Sequence, residues 1–226
     1  MNAPSDKPLS VVVVAAGAGR RMGTSVRKPW ITVAGDAIVV HTLRRFAGID
    51  LVRELVLVVH PDDLARGEAL RERFEGLRVA AGGESRVLSV RSGLARVAND
   101  AELIAIQDGV RPLVTDDLIR RVSARARETG AAIPVVPVSA TLKEVDQDAI
   151  VRTVDRERLF EAQTPQVFRG DVIRRAYDEA EGDAVTDDAQ LVERLGFTVA
   201  TVPGSVHNIK ITTPDDLKLA ESLLSE

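Results

Sequence analysis

Short apolar runs rich in β-branched residues alternate with longer amphipathic segments along most of the 226-residue chain. Apolar runs bounded by turn residues are typical of buried strands, whereas apolar positions at helical spacing are typical of helices with one buried face. Strands and helices that alternate in this way form mostly parallel sheets with helices on both faces. The pattern therefore predicts an α/β fold.

The individual runs predict where these elements lie. The strands are expected at Val11–Ala15, Leu55–Val59, Leu77–Ala81, Leu103–Ile106, Ala132–Val138, Val167–Phe168 and Thr198–Val202. The helices are expected at Ile38–Phe46, Leu64–Phe74, Ser85–Val97, Asp116–Glu128, Asp171–Glu179, Asp187–Leu195 and Pro214–Leu224. Thr115 and Thr213 each precede an acidic first turn, so both are expected to cap the helices that follow them.

Residues 137–160 interrupt the alternation. Two strand-like pieces, Thr141–Val145 and Ala149–Val154, flank the polar turn Asp146-Gln147-Asp148, which predicts a β-hairpin. A hairpin buries too little apolar surface to be stable alone, so it must pack on something else. The pattern leaves open whether it is an edge of the main sheet or a protruding arm. No linker divides the chain, and we expect one domain over residues 1–226.

Composition narrows the class of protein. The formal net charge of −4 argues against nucleic acid as a partner, because proteins that bind nucleic acid usually carry a basic surplus. The absence of cysteine excludes disulfides, thiolate catalysis and zinc–sulfur sites. No apolar run is long enough to span a membrane or to form a signal peptide. We expect a cytoplasmic protein without a membrane partner.

The loop behind the first predicted strand is the strongest candidate for chemistry. It reads Ala15-Ala16-Gly17-Ala18-Gly19, and Arg21 and Lys28 follow. Small residues let backbone N–H groups approach an anion, and the cations neutralise it. The loop lacks the third glycine of a dinucleotide fingerprint and the Gly-Lys-Ser/Thr of a Walker loop. It suits a nucleoside triphosphate whose phosphorus is attacked, although an ordinary turn with two solvated cations fits the local pattern as well.

Two further motifs are expected at the same edge of the sheet. The Gly82-Gly83 turn and the segment Asp108 to Arg111 both follow predicted strands. The carboxyl ends of parallel strands meet at one edge, where ligands of open α/β sheets bind. Taken singly, Asp108 is also a common turn residue, and Ser85 is also an ordinary helix cap after a glycine turn.

Seven segments in order resemble 2-C-methyl-D-erythritol 4-phosphate cytidylyltransferases. Besides the first loop with Arg21 and Lys28, they are Gly82 to Val90, Gln107 to Pro112, Thr153 to Arg156, Gln163 to Gln166, Thr186 to Asp188 and Asn208 to Lys210. The resemblance implies a Rossmann-like three-layer nucleotidyltransferase fold, with a twisted, mostly parallel sheet and a β-hairpin arm that forms a homodimer. It also implies the conversion of CTP and 2-C-methyl-D-erythritol 4-phosphate to 4-diphosphocytidyl-2-C-methyl-D-erythritol and pyrophosphate, in non-mevalonate isoprenoid synthesis.

The resemblance also assigns roles to residues. Arg21 and Lys28 correspond to the transition-state stabilisers, and Arg156 of the arm to a residue that orients the sugar phosphate. Lys210 corresponds to a lysine that contacts the phosphates and the substrate. The nucleotide-binding residues implied are Ala15, Ala16, Gly17, Ala18, Gly19, Gly83, Glu84, Ser89 and Asp108. The substrate-binding residues implied are Asp108, Gly109, Arg111, Thr141, Arg156 and Lys210. Thr164 and Gln166 fit supporting positions. No residue is assigned as a metal ligand, because Mg²⁺ or another divalent cation would be held mainly by the CTP phosphates.

The chain also departs from the usual family wording. The segment Arg27-Lys28-Pro29-Trp30 stands where Pro-Lys-Gln-aromatic is usual, and Pro29 disfavours a helical conformation at Lys28. Gln107 replaces a usual histidine and Ala140 a usual aspartate. The last two departures lie near the expected sugar-phosphate side of the site. Ribitol-5-phosphate cytidylyltransferase is an alternative that residues 208–214 would suit, although residues 153–166 resemble the isoprenoid enzyme more. A nucleotide-binding module of the same fold without catalysis is a second alternative.

Overall fold

The computed structural model describes residues 8–17, 26–180 and 185–225. The strands are β1 Leu9–Ala15, β2 Thr32–Val33, β3 Asp36–Ala37, β4 Val52–Val59, β5 Arg78–Ala81, β6 Leu103–Asp108, β7 Ala131–Pro137, β8 Leu142–Asp146, β9 Ala149–Val154, β10 Phe160–Ala162, β11 Gln166–Arg169 and β12 Ala200–Pro203. The helices are α1 Ile38–Ala47, α2 Leu64–Ala69, α3 Arg86–Leu94, α4 Asp116–Thr129, α5 Gly170–Asp178, α6 Ala189–Arg194 and α7 Pro214–Leu224. None of these described helices is long and apolar enough to cross a membrane.

The main sheet confirms the predicted α/β fold. Its strands follow the order β10-β7-β11-β6-β1-β4-β5, and β12 pairs with β7. The central pairs β6-β1, β1-β4 and β4-β5 are parallel, whereas β10 and β11 run antiparallel to β7. Alternate residues of β1 supply two different cores, because Val11 and Val13 pack on one side and Val12 on the other. The sheet is therefore covered on both faces and forms the middle of three layers.

Local capping agrees with the sequence. The Thr115 hydroxyl accepts a hydrogen bond from the Leu118 N–H at the start of α4. Thr213 and Asp216 form a reciprocal capping box at the start of α7, with Pro214 in the first turn. These bonds satisfy backbone donors that a helix leaves free at its first turn. Both helix starts are therefore fixed by residues that lie next to them in the chain.

Several elements differ from the expectation. The helix expected over Leu64–Phe74 ends at Ala69 and continues as the 3-10 turn Leu70–Glu72, which still buries Leu70. Lys28, despite the following proline, opens a single 3-10 turn over Lys28–Trp30. The last strand starts at Ala200 rather than Thr198. The short strands β2, β3 and β10 were not expected, because runs of two or three residues carry too little pattern to be recognised.

The hairpin of residues 137–160 is not an edge of the main sheet. β8 and β9 form a separate two-stranded sheet among the described residues, paired from Leu142↔Val154 to Asp146↔Ala149, and β10 then joins the main sheet beside β7. Val145, Ile150 and Val151 are 55%, 64% and 58% exposed. The segment therefore protrudes as an arm that leaves apolar side chains open to solvent.

Candidate active site

A pocket of about 520 Å³ opens where β1, β4 and β6 end. Its described lining comprises Val14, Ala15, Ala16, Gly17, Lys28, Pro29, His60, Gly83, Glu84, Ser85, Arg86, Ser89, Asp108, Val110 and Lys210. The pocket therefore lies at the carboxyl edge of the parallel strands, as expected for an open α/β sheet. It contains more cationic than anionic side chains, which suits a ligand rich in phosphate.

The Gly82-Gly83 turn forms one wall, and packing explains both glycines. A Cβ atom on Gly82 would lie 2.3 Å from the Ala16 Cβ, and one on Gly83 would lie 2.4 Å from the Leu88 Cβ. No side chain fits at such distances, so Gly82 lets the turn approach the loop behind β1 and Gly83 lets it approach helix α3. The turn and the loop are thereby held side by side along the pocket.

Ser89 braces this turn from beneath. Its hydroxyl donates to the Ser85 carbonyl oxygen at 2.9 Å and accepts from the Gly83 N–H at 3.2 Å. Ser85 in turn caps α3, because its hydroxyl accepts from the Leu88 N–H at 3.1 Å. Ser89 is only 3% exposed but lines the pocket. Its predicted contact with the base stays a prediction, and its visible role is to fix the Gly83 backbone.

Asp108 is the anionic centre of the pocket. Its carboxylate lies 2.9 Å from Lys210 Nζ, 3.5 Å from Arg111 Nε and 3.9 Å from Arg86 Nη2. Burial alone would raise the pKa of this carboxyl, but the positive charges of Lys210 and Arg86 outweigh burial and lower the pKa. Asp108 therefore stays ionised near neutral pH, and its carboxylate attracts Lys210, Arg111 and Arg86 to the same part of the pocket.

The backbone around Asp108 is fixed from two sides. The Asp108 N–H donates to the Thr164 hydroxyl at 3.1 Å, which supports the expected scaffolding role of Thr164. The Gly109 N–H donates to the Val14 carbonyl oxygen at 2.8 Å, and a Cβ on Gly109 would lie 3.0 Å from that oxygen. The end of β6 and the end of β1 are thus locked together beneath the pocket.

The loop that carries Lys210 is tied to the same framework. The Asn208 side-chain amide donates to the Thr164 carbonyl oxygen at 2.9 Å, and Arg111 Nη1 donates to the Asn208 carbonyl oxygen at 2.7 Å. The Ile211 N–H donates to the Val110 carbonyl oxygen at 3.0 Å. These bonds hold the backbone on both sides of Lys210, so the position from which its side chain extends is fixed.

Arg86 and its buried partners were not assigned roles from the sequence. Both terminal nitrogens of Arg86 donate to the Asp188 carboxylate at 2.6 Å, and the Tyr177 hydroxyl donates to the same carboxylate. Asp188 is fully buried, and the Gln166 side-chain oxygen accepts from its N–H at 3.1 Å. The bidentate pair fixes the plane of the guanidinium group, which lines the pocket.

The surroundings raise the pKa values of both Arg86 and Tyr177. Burial opposes the charge of Arg86, but the carboxylate of Asp188 outweighs it and raises the pKa of the guanidinium. Burial raises the pKa of the Tyr177 hydroxyl, and the charge of Asp188 adds to the effect. Arg86 is therefore a permanent cation and Tyr177 a neutral donor. Arg86 and Asp188 lie 102 residues apart, so no local signal in the sequence links them.

The structure brings together most of the predicted site residues. Those that line the pocket are Ala15, Ala16, Gly17, Lys28, Gly83, Glu84, Ser89, Asp108 and Lys210. Gly109 and Arg111 lie next to the pocket, because Gly109 bonds to Val14 and Arg111 pairs with Asp108, and both of these partners line it. Ala18, Gly19 and Arg21 lie outside the described residues.

The two predicted residues of the arm are placed differently. Thr141 and Arg156 are exposed, and neither lines the described part of the pocket of its own chain. The Arg156 guanidinium donates to the Ser139 carbonyl oxygen at the base of the arm.

The family model for 2-C-methyl-D-erythritol 4-phosphate cytidylyltransferase matches residues 9–226. The chain belongs to this family. A 2-C-methyl-D-erythritol 4-phosphate cytidylyltransferase of Syntrophus aciditrophicus is 45% identical over 97% of this chain and 97% of that protein. The chloroplastic protein of the same name from Oryza sativa is 39% identical over 99% of this chain and 77% of that protein.

Solved structures agree with this membership. The 4-diphosphocytidyl-2C-methyl-D-erythritol synthase of Anaerococcus prevotii superposes with a TM-score of 0.85 at 30% identity, covering 98% of this chain and 97% of that one. The 2-C-methyl-D-erythritol 4-phosphate cytidylyltransferase of Thermus thermophilus gives a TM-score of 0.80 at 33% identity, covering 96% and 98%. This cytidylyltransferase family member is thus a nucleotidyltransferase with the predicted fold, and the departures at Pro29, Trp30, Gln107 and Ala140 do not remove it from the family.

Proposed function

We propose that the pocket binds CTP together with 2-C-methyl-D-erythritol 4-phosphate and joins them. A phosphate oxygen of the sugar phosphate forms a bond to the α-phosphorus of CTP, and the bond from that phosphorus to the β-phosphate oxygen breaks. The products are 4-diphosphocytidyl-2-C-methyl-D-erythritol and pyrophosphate. The observation that carries the proposal is the meeting of Lys28, Arg86 and Lys210 around one pocket at the edge of the sheet.

Cations, rather than a general base, suit this reaction. The attacking phosphate is already ionised near neutral pH, so no proton has to be removed from it. The barrier comes from forcing two anions together while negative charge spreads over the α-phosphate and the leaving pyrophosphate. Lys28 and Arg21 are proposed to stabilise that charge. Lys210, held at 2.9 Å by Asp108, is proposed to orient the attacking phosphate.

The nucleotide is proposed to lie along the glycine turn and the first loop. The loop Ala15-Ala16-Gly17-Ala18-Gly19 offers backbone N–H groups to the phosphates. Gly83, Glu84 and Ser89 are proposed to contact the cytosine, with the base facing the turn that Ser89 braces. A braced turn presents fixed donors and acceptors to one pyrimidine edge and leaves little room for a purine.

The sugar phosphate is proposed to bind on the Asp108 side. Asp108, Gly109 and Arg111 end β6 or follow it, and the Lys210 ammonium group lies beside them. Thr141 and Arg156 are proposed to reach this position from the arm of a second copy of the chain. The exposed apolar residues Val145, Ile150 and Val151 support a homodimer, because an arm of this kind gains packing only from another surface.

The pocket fits a divalent cation that arrives with the triphosphate. The carboxylates among its described lining belong to Glu84 and Asp108, and Asp108 is already bonded to Lys210. No group of three or more metal-binding side chains occurs in the described ranges. Mg²⁺ or a similar ion, held mainly by the CTP phosphates and adjoined by Asp108, would withdraw charge from the phosphates when bound. We place the enzyme in the cytoplasm, where CTP is available.

The test is pyrophosphate release by the purified protein with CTP and Mg²⁺ and each of two sugar phosphates. We expect turnover with 2-C-methyl-D-erythritol 4-phosphate and little with ribitol 5-phosphate, and little when ATP or GTP replaces CTP. Faster turnover with ribitol 5-phosphate would move the proposal to that substrate. CTP binding without pyrophosphate release from either sugar phosphate would leave a nucleotide-binding module without catalysis.

A further inference from the structure

The segment that carries Lys28 is anchored differently on its two sides. On the C-terminal side, Pro29 is buried, Trp30 packs against the core, and the Ile31 carbonyl oxygen accepts from the Ile38 N–H at 3.0 Å. On the N-terminal side, Arg27 is extended, with φ −64° and ψ 139°. The Arg27 side chain supplies an anchor there.

The Arg27 guanidinium bridges two successive carboxylates. Its Nη1 donates to Asp63 Oδ2 at 3.3 Å, and its Nη2 donates to Asp62. Both acids lie in the 3-10 turn Pro61–Asp63, directly after His60, which lines the pocket. The three residues, which we call the Arg27 clamp, thereby join the Lys28 segment to the end of β4.

The clamp is more than a surface ion pair. Asp63 is only 4% exposed, and the Arg27 side chain is 26% exposed. Arg66 also lies near Asp63, with its Nη1 3.7 Å from Oδ1. A buried carboxylate holds its partner more tightly than a solvated one, because loss of the partner leaves a desolvated charge behind. Two carboxylates on one guanidinium also fix its position better than one.

We infer that Arg27 is a positioning residue that sets where the Lys28 ammonium group stands during cytidylyl transfer. The inference rests on the proposed role of Lys28. Arg27 precedes Lys28 directly, so its displacement moves the start of the one turn that carries the lysine. Misplacement of a catalytic group by about 1 Å can cost about a hundredfold in rate. A shift of Lys28 should therefore reduce turnover without weakening the binding of CTP to the rest of the pocket.

The test compares Arg27→Ala, Arg27→Lys, Lys28→Ala and the control Arg120→Ala. Arg120 also forms an ion pair between distant segments, at 2.7 Å from Asp50, but it lies away from the pocket. We expect Arg27→Ala to lower kcat at least about tenfold with the KM for CTP within about twofold. Arg27→Lys should recover part of the loss, and Arg120→Ala should behave as wild type. Melting temperatures measured alongside separate a folding defect from a catalytic one.

A second part of the test uses the Asp63→Asn variant, alone and combined with Arg27→Ala. If the clamp acts as a unit, the double variant should lose no more kcat than Arg27→Ala alone. Wild-type kcat in Arg27→Ala, or a raised KM for CTP with unchanged kcat, would overturn the inference. The proposed function would still stand in that case if Lys28→Ala had a lowered kcat. Wild-type kcat in Lys28→Ala would instead remove the proposed function, and the inference with it.

Discussion

The pocket and the arm are built in opposite ways. Around the pocket, ion pairs form within the chain, between Asp108 and Lys210 and between Arg86 and Asp188. On the arm, the strands β8 and β9 form a separate two-stranded sheet, and Ile150 is 64% exposed. The pocket is thus preorganised by its own chain, whereas the arm carries an apolar surface that the described residues of its chain leave exposed.

This difference separates two parts of one function. Preorganised charges stabilise a transition state without rearranging during the reaction, which suits residues that must face the α-phosphate. An uncovered apolar arm gains stability only when a second surface meets it, and a two-fold dimer uses such a contact twice. We therefore expect changes at the pocket to act on chemistry, changes of the exposed apolar residues of the arm to act on assembly, and changes of Arg156 to act on the pocket of the second chain.

The largest expected effect comes from the proposed transition-state cations. Lys28→Ala and Arg21→Ala should each lower kcat by about a hundredfold or more, because each removes charge stabilisation needed mainly in the transition state. The KM for CTP should change far less. Steady-state pyrophosphate release measures both, with Lys218→Ala, which removes a surface lysine paired with Asp215, as the control. Unchanged kcat in either variant would mean that the first loop has been assigned wrongly.

Removal of the buried partner of Arg86 should come next. Asp188→Asn should destabilise the protein by about 3 kcal/mol, because it breaks a buried pair and leaves Arg86 without its counter-charge. Tyr177→Phe removes one hydrogen bond to the same carboxylate and should cost about 1–2 kcal/mol. Urea unfolding measures both, and kcat/KM for CTP should fall more in Asp188→Asn. Equal stability of the two variants would show that the pairing with Arg86 adds nothing to the network.

A smaller effect is expected on the arm. Ile150→Asp places a charge in the proposed contact with a second chain, and it should raise the dimer dissociation constant at least about tenfold. The unfolding free energy of the dissociated chain should barely change, because Ile150 is exposed there. Sedimentation at several concentrations measures the assembly, with Asp148→Asn at the arm's turn as control. A dimer as tight as wild type would place the interface elsewhere.

The smallest expected effect is on the pH dependence of stability. The pKa of Asp108 is lowered in the folded chain, so its contribution to stability is present above the unfolded pKa of about 3.9 and is lost as the pH falls through the folded value. The difference in unfolding free energy between wild type and Asp108→Asn should therefore shrink on acidification. A difference that grows toward low pH would contradict the direction assigned to this pKa.

Local patterns in the sequence predicted the framework well. The run Val11 to Val14 is apolar throughout because both faces of β1 are buried, and that pattern is typical of a central parallel strand. The caps Thr115 and Thr213 were predictable because a cap bonds residues only two or three positions away. The same edge of the sheet collects Asp108, Gly83 and the first loop, as the order of strands and loops implied.

Contacts between distant segments could not be predicted in the same way. The pairing of Arg86 with Asp188 and of Arg27 with Asp63 depends on how α3, α6 and the turn after β4 pack together. The hairpin of β2 and β3 depends on a turn in which Ala34 adopts φ 44° and Gly35 φ 84°, and alanine gives no signal for such a turn. The single-domain organisation, the dimer and the roles of the arm residues stay predictions.

A subunit-mixing experiment tests most directly whether pocket and arm are two halves of one site. Arg156→Ala and Lys28→Ala proteins, each inactive alone, are mixed, allowed to exchange subunits, and assayed for pyrophosphate release. If Arg156 acts on the pocket of the other chain, each mixed dimer holds one intact site, and an equal mixture should recover about a quarter of wild-type activity. No recovery after verified exchange would show that Arg156 acts within its own chain and that each site is built within one chain.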